Sequence, residues 1–321
     1  MICPHYAVPL DDEALTAVSD SRLVPTVWDP RYVTHAAPLT STTKAGAVVE
    51  AWRHLLHVVP TPSPDDLETV WDHIATWHAP DYVTAVRTGT PIHRAESQGF
   101  RWSPAFADSV AHIWLGQHVA HRLAHALGRI VLHPVSGAHH AWPHTGSGYC
   151  TFNYVVAALG LVLSDRPDAR VAVIDLDAHY GDGTVAFVRQ TQLPVHIFDV
   201  HGGRAGHEEV LESGQILNFG VGNAREYNQA LDRLPAFLDR HAITDAVYLA
   251  GVDPYEHDPV GGTAGMSAEA LRGRDDVVVA ALNARGIASV VNFAGGYVPD
   301  QVVALHGANI EAIRRSWNTE R

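Results

Sequence analysis

Four residues that could bind a metal ion or transfer protons follow a short apolar run near the middle of the chain. The segment VAVIDLDAHYGDGT, residues 171–184, contains Asp175, Asp177, His179 and Asp182. Its opening residues are β-branched or small, which predicts a buried strand, and the Gly-Asp-Gly predicts a turn into a helix. Burying an unpaired carboxylate costs several kcal/mol, which is comparable with a small domain's whole stability. Packing alone therefore does not account for these acids.

The spacing of these residues suits a divalent metal ion. Asp177 and His179 are two residues apart, so their side chains point to the same side of an extended segment. Asp253 follows the apolar run YLAG and could close the site from a second strand end. Three such ligands leave one coordination position open, as in catalytic zinc sites. Asp175 and Asp182 could then orient histidines or bind a second ion, although Asp beside Gly is also a common turn cap.

Two further groups could act on protons or on a carbonyl. His139 and His140 are adjacent in the Gly-rich segment HPVSGAHHAWPHTGSG, which favours a pair of acid–base imidazoles over two packed side chains. Tyr297 follows two glycines and supplies a phenol that could polarise a carbonyl. His121 and His125 have a spacing that can bind zinc on a helix, but no acid lies between them. We interpret them as packing or helix-face residues.

Strands and helices alternate along the chain, which predicts a parallel sheet with both faces covered by helices. Ligands bind such sheets outside the carboxyl ends of the strands. The polar segments described above all follow predicted strands, so they should converge at one edge of the sheet. The predicted strands are 24–28, 129–133, 170–176, 195–200, 215–219, 245–250 and 288–293, and the predicted helices are 44–56, 65–77, 103–127, 149–163, 183–190, 225–240, 267–285 and 299–316.

Composition and charge limit the class of protein. The 321 residues are 46% hydrophobic and 18% charged, as expected for a globular chain with a large core, and no linker or repeat divides them. We therefore expect a single domain over 1–321. The net charge of −13 argues against nucleic-acid binding and, more weakly, against anionic membranes. Two cysteines, Cys3 and Cys150, cannot form a disulfide framework, and no leader or spanning segment is evident, so we expect a cytoplasmic location.

The motifs together resemble those of the zinc-dependent histone deacetylase family, with the closest likeness to its class IV and bacterial branch. They are GAHHA, GSGYCTFN, DLDAHYGDGT, GVDPYEHDPVGG and AGGY, in this order and spacing, within residues 76–300. The resemblance implies the three-layer α/β/α arginase/deacetylase fold with a mostly parallel eight-stranded sheet. It also implies a zinc-dependent amidohydrolase that removes an acetyl or other acyl group from an amine, either acyl-lysine, an acetylpolyamine or a small metabolite.

The resemblance implies two ion sites. Asp177, His179 and Asp253 would hold Zn²⁺. Asp175, with the backbone carbonyls near His179 and Val200, matches the family's structural potassium site.

The resemblance also implies catalytic roles. His140 would be the main general base and acid, backed by Asp182. His139 would be the second imidazole, hydrogen-bonded to Asp175, and Tyr297 would bind the substrate carbonyl and the oxyanion.

The substrate channel departs from the family pattern. Gly148 and Tyr149 fall where the family places one wall of the acyl-lysine channel. The aromatic residue that often forms the opposite wall is missing from the segment DVHGGRAGHEE. Arg204, Glu208 and Glu209 lie there instead, which favours a polar or cationic small substrate over a protein tail.

Two alternatives stay open. A manganese ureohydrolase of the arginase type shares the fold and uses two metals, but it normally needs a second acid where this chain has Tyr255. A non-catalytic acyl-amine binding protein would have no use for the zinc ligands, both imidazoles and Tyr297 together.

Overall fold

The computed structural model describes residues 12–33, 43–61, 67–203, 207–211 and 214–318. Within these ranges nine strands form one sheet. They are β1 (Val24–Val27), β2 (Leu56–Val59), β3 (Ile130–Leu132), β4 (Val171–Asp175), β5 (Val195–Gly202), β6 (His207–Leu211), β7 (Ile216–Val221), β8 (Asp245–Leu249) and β9 (Ala288–Asn292). Their spatial order is β2-β1-β3-β9-β8-β4-β5-β7-β6, and all neighbours are parallel except β6 and β7.

The helices lie between and around these strands. They are α1 (Asp12–Asp20), α2 (Lys44–Ala51), α3 (Leu67–Trp77), α4 (Pro80–Thr88), α5 (Ile92–Ala95), α6 (Pro104–Leu127), α7 (Tyr154–Asp165), α8 (Asp182–Thr191), α9 (Ala224–Leu231), α10 (Leu234–Arg240), α11 (Ala268–Asn283) and α12 (Val302–Asn318). Every residue of β3, β4, β8 and β9 is buried, as expected for strands covered on both faces. The α/β class with a mostly parallel sheet is confirmed. None of the described helices is long and apolar enough to cross a membrane.

The described residues form nine strands, one more than the eight that the resemblance implies, and two of the nine, both at sheet edges, were not among the seven strands predicted from the sequence. β2 begins at Leu56, inside the predicted helix 44–56, which ends as α2 at Ala51. β6 has the polar sequence HEEVL and pairs antiparallel with β7. An edge strand needs no continuous apolar run, so the pattern that reveals buried strands does not reveal it.

Two predicted helices also have different limits. The helix predicted over 149–163 begins at Tyr154, where the Asn153 side chain accepts a hydrogen bond from Val156 N. Tyr149 lies in the preceding loop with φ +61°, which excludes it from a right-handed helix. The helix predicted over 225–240 is divided into α9 and α10, and Pro235 lies in the first turn of α10.

A buried arginine on α11 ties together the ends of the two central strands. Arg274 Nη1 donates to the carbonyl oxygens of Leu176, at 3.2 Å, and Gly251, at 2.5 Å. Leu176 directly follows β4, and Gly251 lies two residues beyond β8. Asp275 balances the charge, since its Oδ1 accepts from Arg274 Nε at 2.9 Å and from Tyr248 Oη at 2.6 Å. The interaction therefore fixes the two chain segments that carry the polar residues discussed next.

Replacing Arg274 by Met should lower the free energy of unfolding by about 3–5 kcal/mol, because it leaves Asp275 as an unpaired buried charge. Urea unfolding followed by circular dichroism measures this change. Arg272→Met is the matched control, because Arg272 is exposed on the same helix and should change stability by about 0.5 kcal/mol or less. Equal stability of the two variants would show that the buried ion pair does not hold the strand ends.

Candidate active site

The polar segments predicted to converge do meet at one edge of the sheet. β3, β9, β8 and β4 are consecutive neighbours, and the loops that follow them carry the candidate residues. In a parallel sheet the carboxyl ends of such strands open on the same side. The structure therefore brings together the segments that were expected to converge.

Three of the candidate residues form a group that could hold a metal ion. Ligand atoms of Asp177, His179 and Asp253 all lie within 4.8 Å of one another. His179 Nδ1 is 3.0 Å from both Asp177 Oδ1 and Asp253 Oδ2. Among the residues that the structure describes, no other three His, Cys, Asp or Glu side chains meet this criterion. Two carboxylates and one imidazole are a donor set that fits a divalent ion such as zinc.

Glycines allow the carboxylates to approach the backbone closely. Gly295 N donates to Asp177 Oδ2 at 2.6 Å, and Ala178 N donates to Asp253 Oδ1 at 2.9 Å. A Cβ on Gly295 would lie 2.1 Å from Asp253 Oδ2, so no larger residue fits there. A Cβ added at Gly251 would lie 2.9 Å from one carboxylate oxygen of Asp177 and 2.9 Å from one of Asp253. The backbone therefore orients both carboxylates.

The burial of this group makes its charge state unfavourable without a cation. Asp177 is 2% exposed and Asp253 is fully buried. Burial raises the pKa of Asp253 to about 7, and repulsion by the Asp177 carboxylate adds to the effect. Hydrogen bonds to Asp177 and Asp253 raise the pKa of His179 to about 11. The site thus holds more negative charge than its own groups neutralise, which fits cation binding.

Two histidine–aspartate pairs lie beside the three-residue group. His139 Nδ1 is 2.8 Å from Asp175 Oδ2, and His140 Nδ1 is 2.6 Å from Asp182 Oδ1. The two ring centroids are 4.1 Å apart. Because each Nδ1 bonds to its carboxylate, each Nε2 is left to act in the site, and His139 Nε2 lies 3.8 Å from Asp177 Oδ1. The structure thus forms both expected pairs.

The two imidazoles have opposite charge preferences. Burial lowers the pKa of His139, but the carboxylates of Asp175 and Asp177 outweigh burial and raise it to about 10. Burial lowers the pKa of His140, and the neighbouring His139 lowers it further. Near pH 7, His139 therefore carries a proton while His140 is neutral and able to accept one.

The loop that carries the histidines is held from two sides. Thr184 N, at the start of α8, donates to the His139 carbonyl at 2.9 Å. On the other side, a Cβ on Gly148 would lie 2.5 Å from His140 Cδ2, so glycine is required there. The Tyr149 ring packs 5.2 Å from the ring of Phe100. Of the two predicted channel residues, Gly148 thus contacts the site directly, and Tyr149 lies beside Phe100.

Tyr297 lies half-buried on the loop after β9. Its backbone N donates to Asp258 Oδ2 at 2.7 Å, and Lys44 Nζ lies 5.6 Å from the centroid of its ring. Burial raises the pKa of the phenol, and the carboxylates of Asp177 and Asp253 raise it further. The hydroxyl therefore stays protonated and available as a hydrogen-bond donor.

Sequence reasoning did not assign roles to three buried residues at this edge. Lys44 Nζ donates to the carbonyl of Ala294, and Asp258 bonds to the Tyr297 backbone. Asp199 Oδ2 accepts from Gly181 N at 3.0 Å. Asp199 is an acid near the end of the strand predicted over 195–200, the same signal that identified Asp175. Lys44 has no comparable signal, since it reaches the site from a distant helix.

The remaining sequence predictions concern residues around the site. Near Asp175, His179 and Val200, the residues of the predicted potassium site, Gly202 N of β5 donates to the Ala178 carbonyl at 2.8 Å, and the potassium site stays a prediction. Tyr255, the residue that argued against a second metal, is buried and outside the metal-binding group.

Among the described residues, the charged residues predicted near the channel and the two histidines of α6 are not part of the three-residue group. Arg204 lies outside the described residues. Glu208 is exposed and pairs with Arg233 at 3.2 Å, and Glu209 is half-buried. On α6, His121 is buried and His125 is exposed, so they do not form a joint site.

Two cavities adjoin the candidate site. One is mainly apolar and reaches Gly137 and Tyr149, with Phe100, Phe106 and Trp114 among its walls. The other borders His179 and is lined largely by glycines at the ends of β5 and β7 and in the loop after β8. The site therefore has an apolar space on one side and a space with mainly backbone walls on another.

Comparison with known proteins agrees with this site. The histone deacetylase domain matches residues 39–313. An uncharacterized protein of Picosynechococcus is 31% identical over 68% of this chain and 73% of its own length. Histone deacetylase RPD3 of Saccharomyces cerevisiae is 27% identical over 59% of this chain and 42% of its own. Acetylpolyamine amidohydrolase 2 of Pseudomonas aeruginosa is 27% identical over 54% of this chain and 52% of its own length.

The alignments thus span about half the length of these two named enzymes, whereas the family match covers most of this chain. The chain belongs to the histone deacetylase family.

Proposed function

We propose that the protein is a zinc-dependent amidohydrolase that removes an acetyl or other acyl group from an amine. The observation that carries this proposal is the meeting of two histidine–aspartate pairs with a three-ligand group at one sheet edge. A binding protein would need none of the proton-transfer groups, so their presence favours a catalyst.

Asp177, His179 and Asp253 would hold the ion. A zinc ion there would polarise the amide carbonyl and lower the pKa of a water molecule. The donor set suits zinc, because imidazole is a ligand that zinc favours. A site for two manganese ions is less well supported, since Tyr255 stands where the second acid would be expected.

The two imidazoles divide the proton transfers. Neutral His140 takes the proton from the attacking water, and Asp182 at its Nδ1 stabilises the imidazolium that results. His139 carries positive charge beside Asp175 and Asp177, which favours the negatively charged transition state. The imidazole pair then returns a proton to the nitrogen of the leaving amine.

Tyr297 donates to the developing oxyanion. Its phenol stays protonated, and a donor placed at such an oxygen typically contributes about 10²–10³-fold to turnover. The loop that carries it is anchored to Asp177 through Gly295 N and to Asp258 through its own N.

The cavities support a range of substrates rather than one. The apolar cavity beside Gly137 and Tyr149 would take the acyl group. The cavity beside His179 has largely glycine walls. The sequence DVHGGRAGHEE offers no second aromatic wall, which favours a compact polar amine over a protein tail. Acetylpolyamines, acyl-lysine and small acylated metabolites are the substrate classes to test.

The remaining proposals concern the protein as a whole. Residues 1–321 form one deacetylase-like domain and act in the cytoplasm. Potassium binds as a structural ion at Asp175 and the carbonyls of His179 and Val200. This potassium proposal is supported by the approach of the loop after β4 to β5.

Asp177→Ala or Asp253→Ala should abolish zinc binding, because each removes one of three ligands. The native protein should contain one equivalent of zinc per chain by elemental analysis. Asp182→Ala is the control, since Asp182 contacts His140 rather than the ion and should keep the zinc. Two equivalents of manganese in the active protein would favour the ureohydrolase alternative.

Hydrolysis of acylated amines tests the function itself. We expect the native protein to release acid from at least one of acetyl-lysine peptide, acetylpolyamines, long-chain acyl-lysine and acetylated sugars. His140→Ala should abolish this turnover while retaining zinc, because it removes the base. His139→Ala should be milder, since His139 acts mainly through its charge.

Two results would contradict these assignments. Near-native rates in both histidine variants would show that other groups transfer the protons. Tight binding of an acylated amine by the native protein without any hydrolysis would favour the non-catalytic alternative.

A further inference from the structure

Asp258 joins the two loops that carry Asp253 and Tyr297, although it belongs to neither the ligand group nor the histidine pairs. Its side chain is 6% exposed. Oδ1 accepts from Val260 N at 3.0 Å and from Gly261 N at 3.1 Å. Oδ2 accepts from Tyr297 N at 2.7 Å. One carboxylate thus bonds to three backbone donors on two separate loops.

The two loops also meet through their backbones near the ion site. Val252 N donates to the Gly295 carbonyl at 2.9 Å, and this bond links the start of the Tyr297 loop to the loop that carries Asp253. Within that second loop, Gly262 N donates to the Asp253 carbonyl at 2.8 Å. The Asp258 carboxylate accepts its hydrogen bond two residues later, from the backbone N of Tyr297.

Gly296 separates the two anchors of the Tyr297 loop. It has φ +143°, a conformation that side chains rarely adopt, so position 296 requires glycine. The hydrogen bond to Asp258 fixes the backbone beyond this glycine, at the residue that carries the phenol. A carboxylate acceptor bonds more strongly than a neutral one.

We propose that Asp258 is a positioning residue for Tyr297, holding its hydroxyl where the oxyanion forms. This rests on the proposed function, in which Tyr297 is the oxyanion donor. Asp258 touches neither substrate nor ion in this account, and its effect on turnover passes through the Tyr297 hydroxyl.

A turn cap without a catalytic consequence is the competing explanation, because Oδ1 bonds within the 258–261 segment. The two explanations differ in what they predict for Tyr297→Phe. A positioning residue has little left to position once the hydroxyl is gone, whereas a turn cap affects both backgrounds equally.

A double-mutant cycle with Asp258→Asn and Tyr297→Phe tests the proposal on a hydrolysed substrate. Asparagine keeps the shape but has one acceptor oxygen, so it cannot satisfy donors on both loops. Leaving the Tyr297 backbone N–H without its acceptor corresponds to about a tenfold or larger loss in kcat. We expect that loss in kcat with KM nearly unchanged, and a further loss of less than about threefold in the Tyr297→Phe background.

Controls separate charge, metal loss and misfolding from positioning. Glu256→Gln removes a negative charge from an exposed position of the same loop and should leave kcat unchanged. Asp258→Asn should retain zinc and a cooperative thermal transition. If Asp258→Asn does not fold, Asp258→Glu serves instead, since it keeps the charge but moves the carboxylate, and it should also lower kcat.

An equal loss from Asp258→Asn in both backgrounds, native kcat in that variant, or loss of zinc would overturn the proposal while leaving the proposed function intact. Absence of hydrolysis by the native protein would instead reject the proposed function, and this inference with it.

Discussion

Repulsion between buried carboxylates is the constraint on which the site depends. Asp175, Asp177, Asp199 and Asp253 are each 2% exposed or less, and they lie in or just after the neighbouring strands β8, β4 and β5. Charges so buried are costly unless they are paired or coordinate an ion. His139 and His179, whose pKa values the neighbouring carboxylates raise, offset part of the charge through contacts of 2.8–3.0 Å. A bound divalent cation would offset much of the rest.

The surrounding structure holds the carboxylates in place despite this repulsion. Backbone donors orient Asp177 and Asp253, and glycines allow those donors to come close. Arg274 reaches both strand ends from the opposite side through the carbonyls of Leu176 and Gly251. The site is therefore preorganised by the fold, and its oxygen atoms converge without rearrangement. Such preorganisation is what metal binding and oxyanion stabilisation both require.

Much of the site could be predicted because its signals are local. Asp177 and His179 are two residues apart after an apolar run, and buried strands have a clear pattern in sequence. Lys44 and Asp258 were not assigned roles because their partners are distant: Lys44 bonds to the carbonyl of Ala294. The edge strands β2 and β6 were missed for a different reason, since a short strand with one open edge need not be apolar. Tyr149 was placed in a helix because its positive φ has no sequence signature.

A zinc titration of metal-free protein, with amide hydrolysis measured at each addition, tests the central claim most directly. The claim is that one cation completes the buried carboxylate group and makes the enzyme active. It predicts that activity rises in proportion to added zinc and stops rising at one equivalent per chain. Activity that needs two equivalents of metal, or that is the same before any zinc is added, would contradict it.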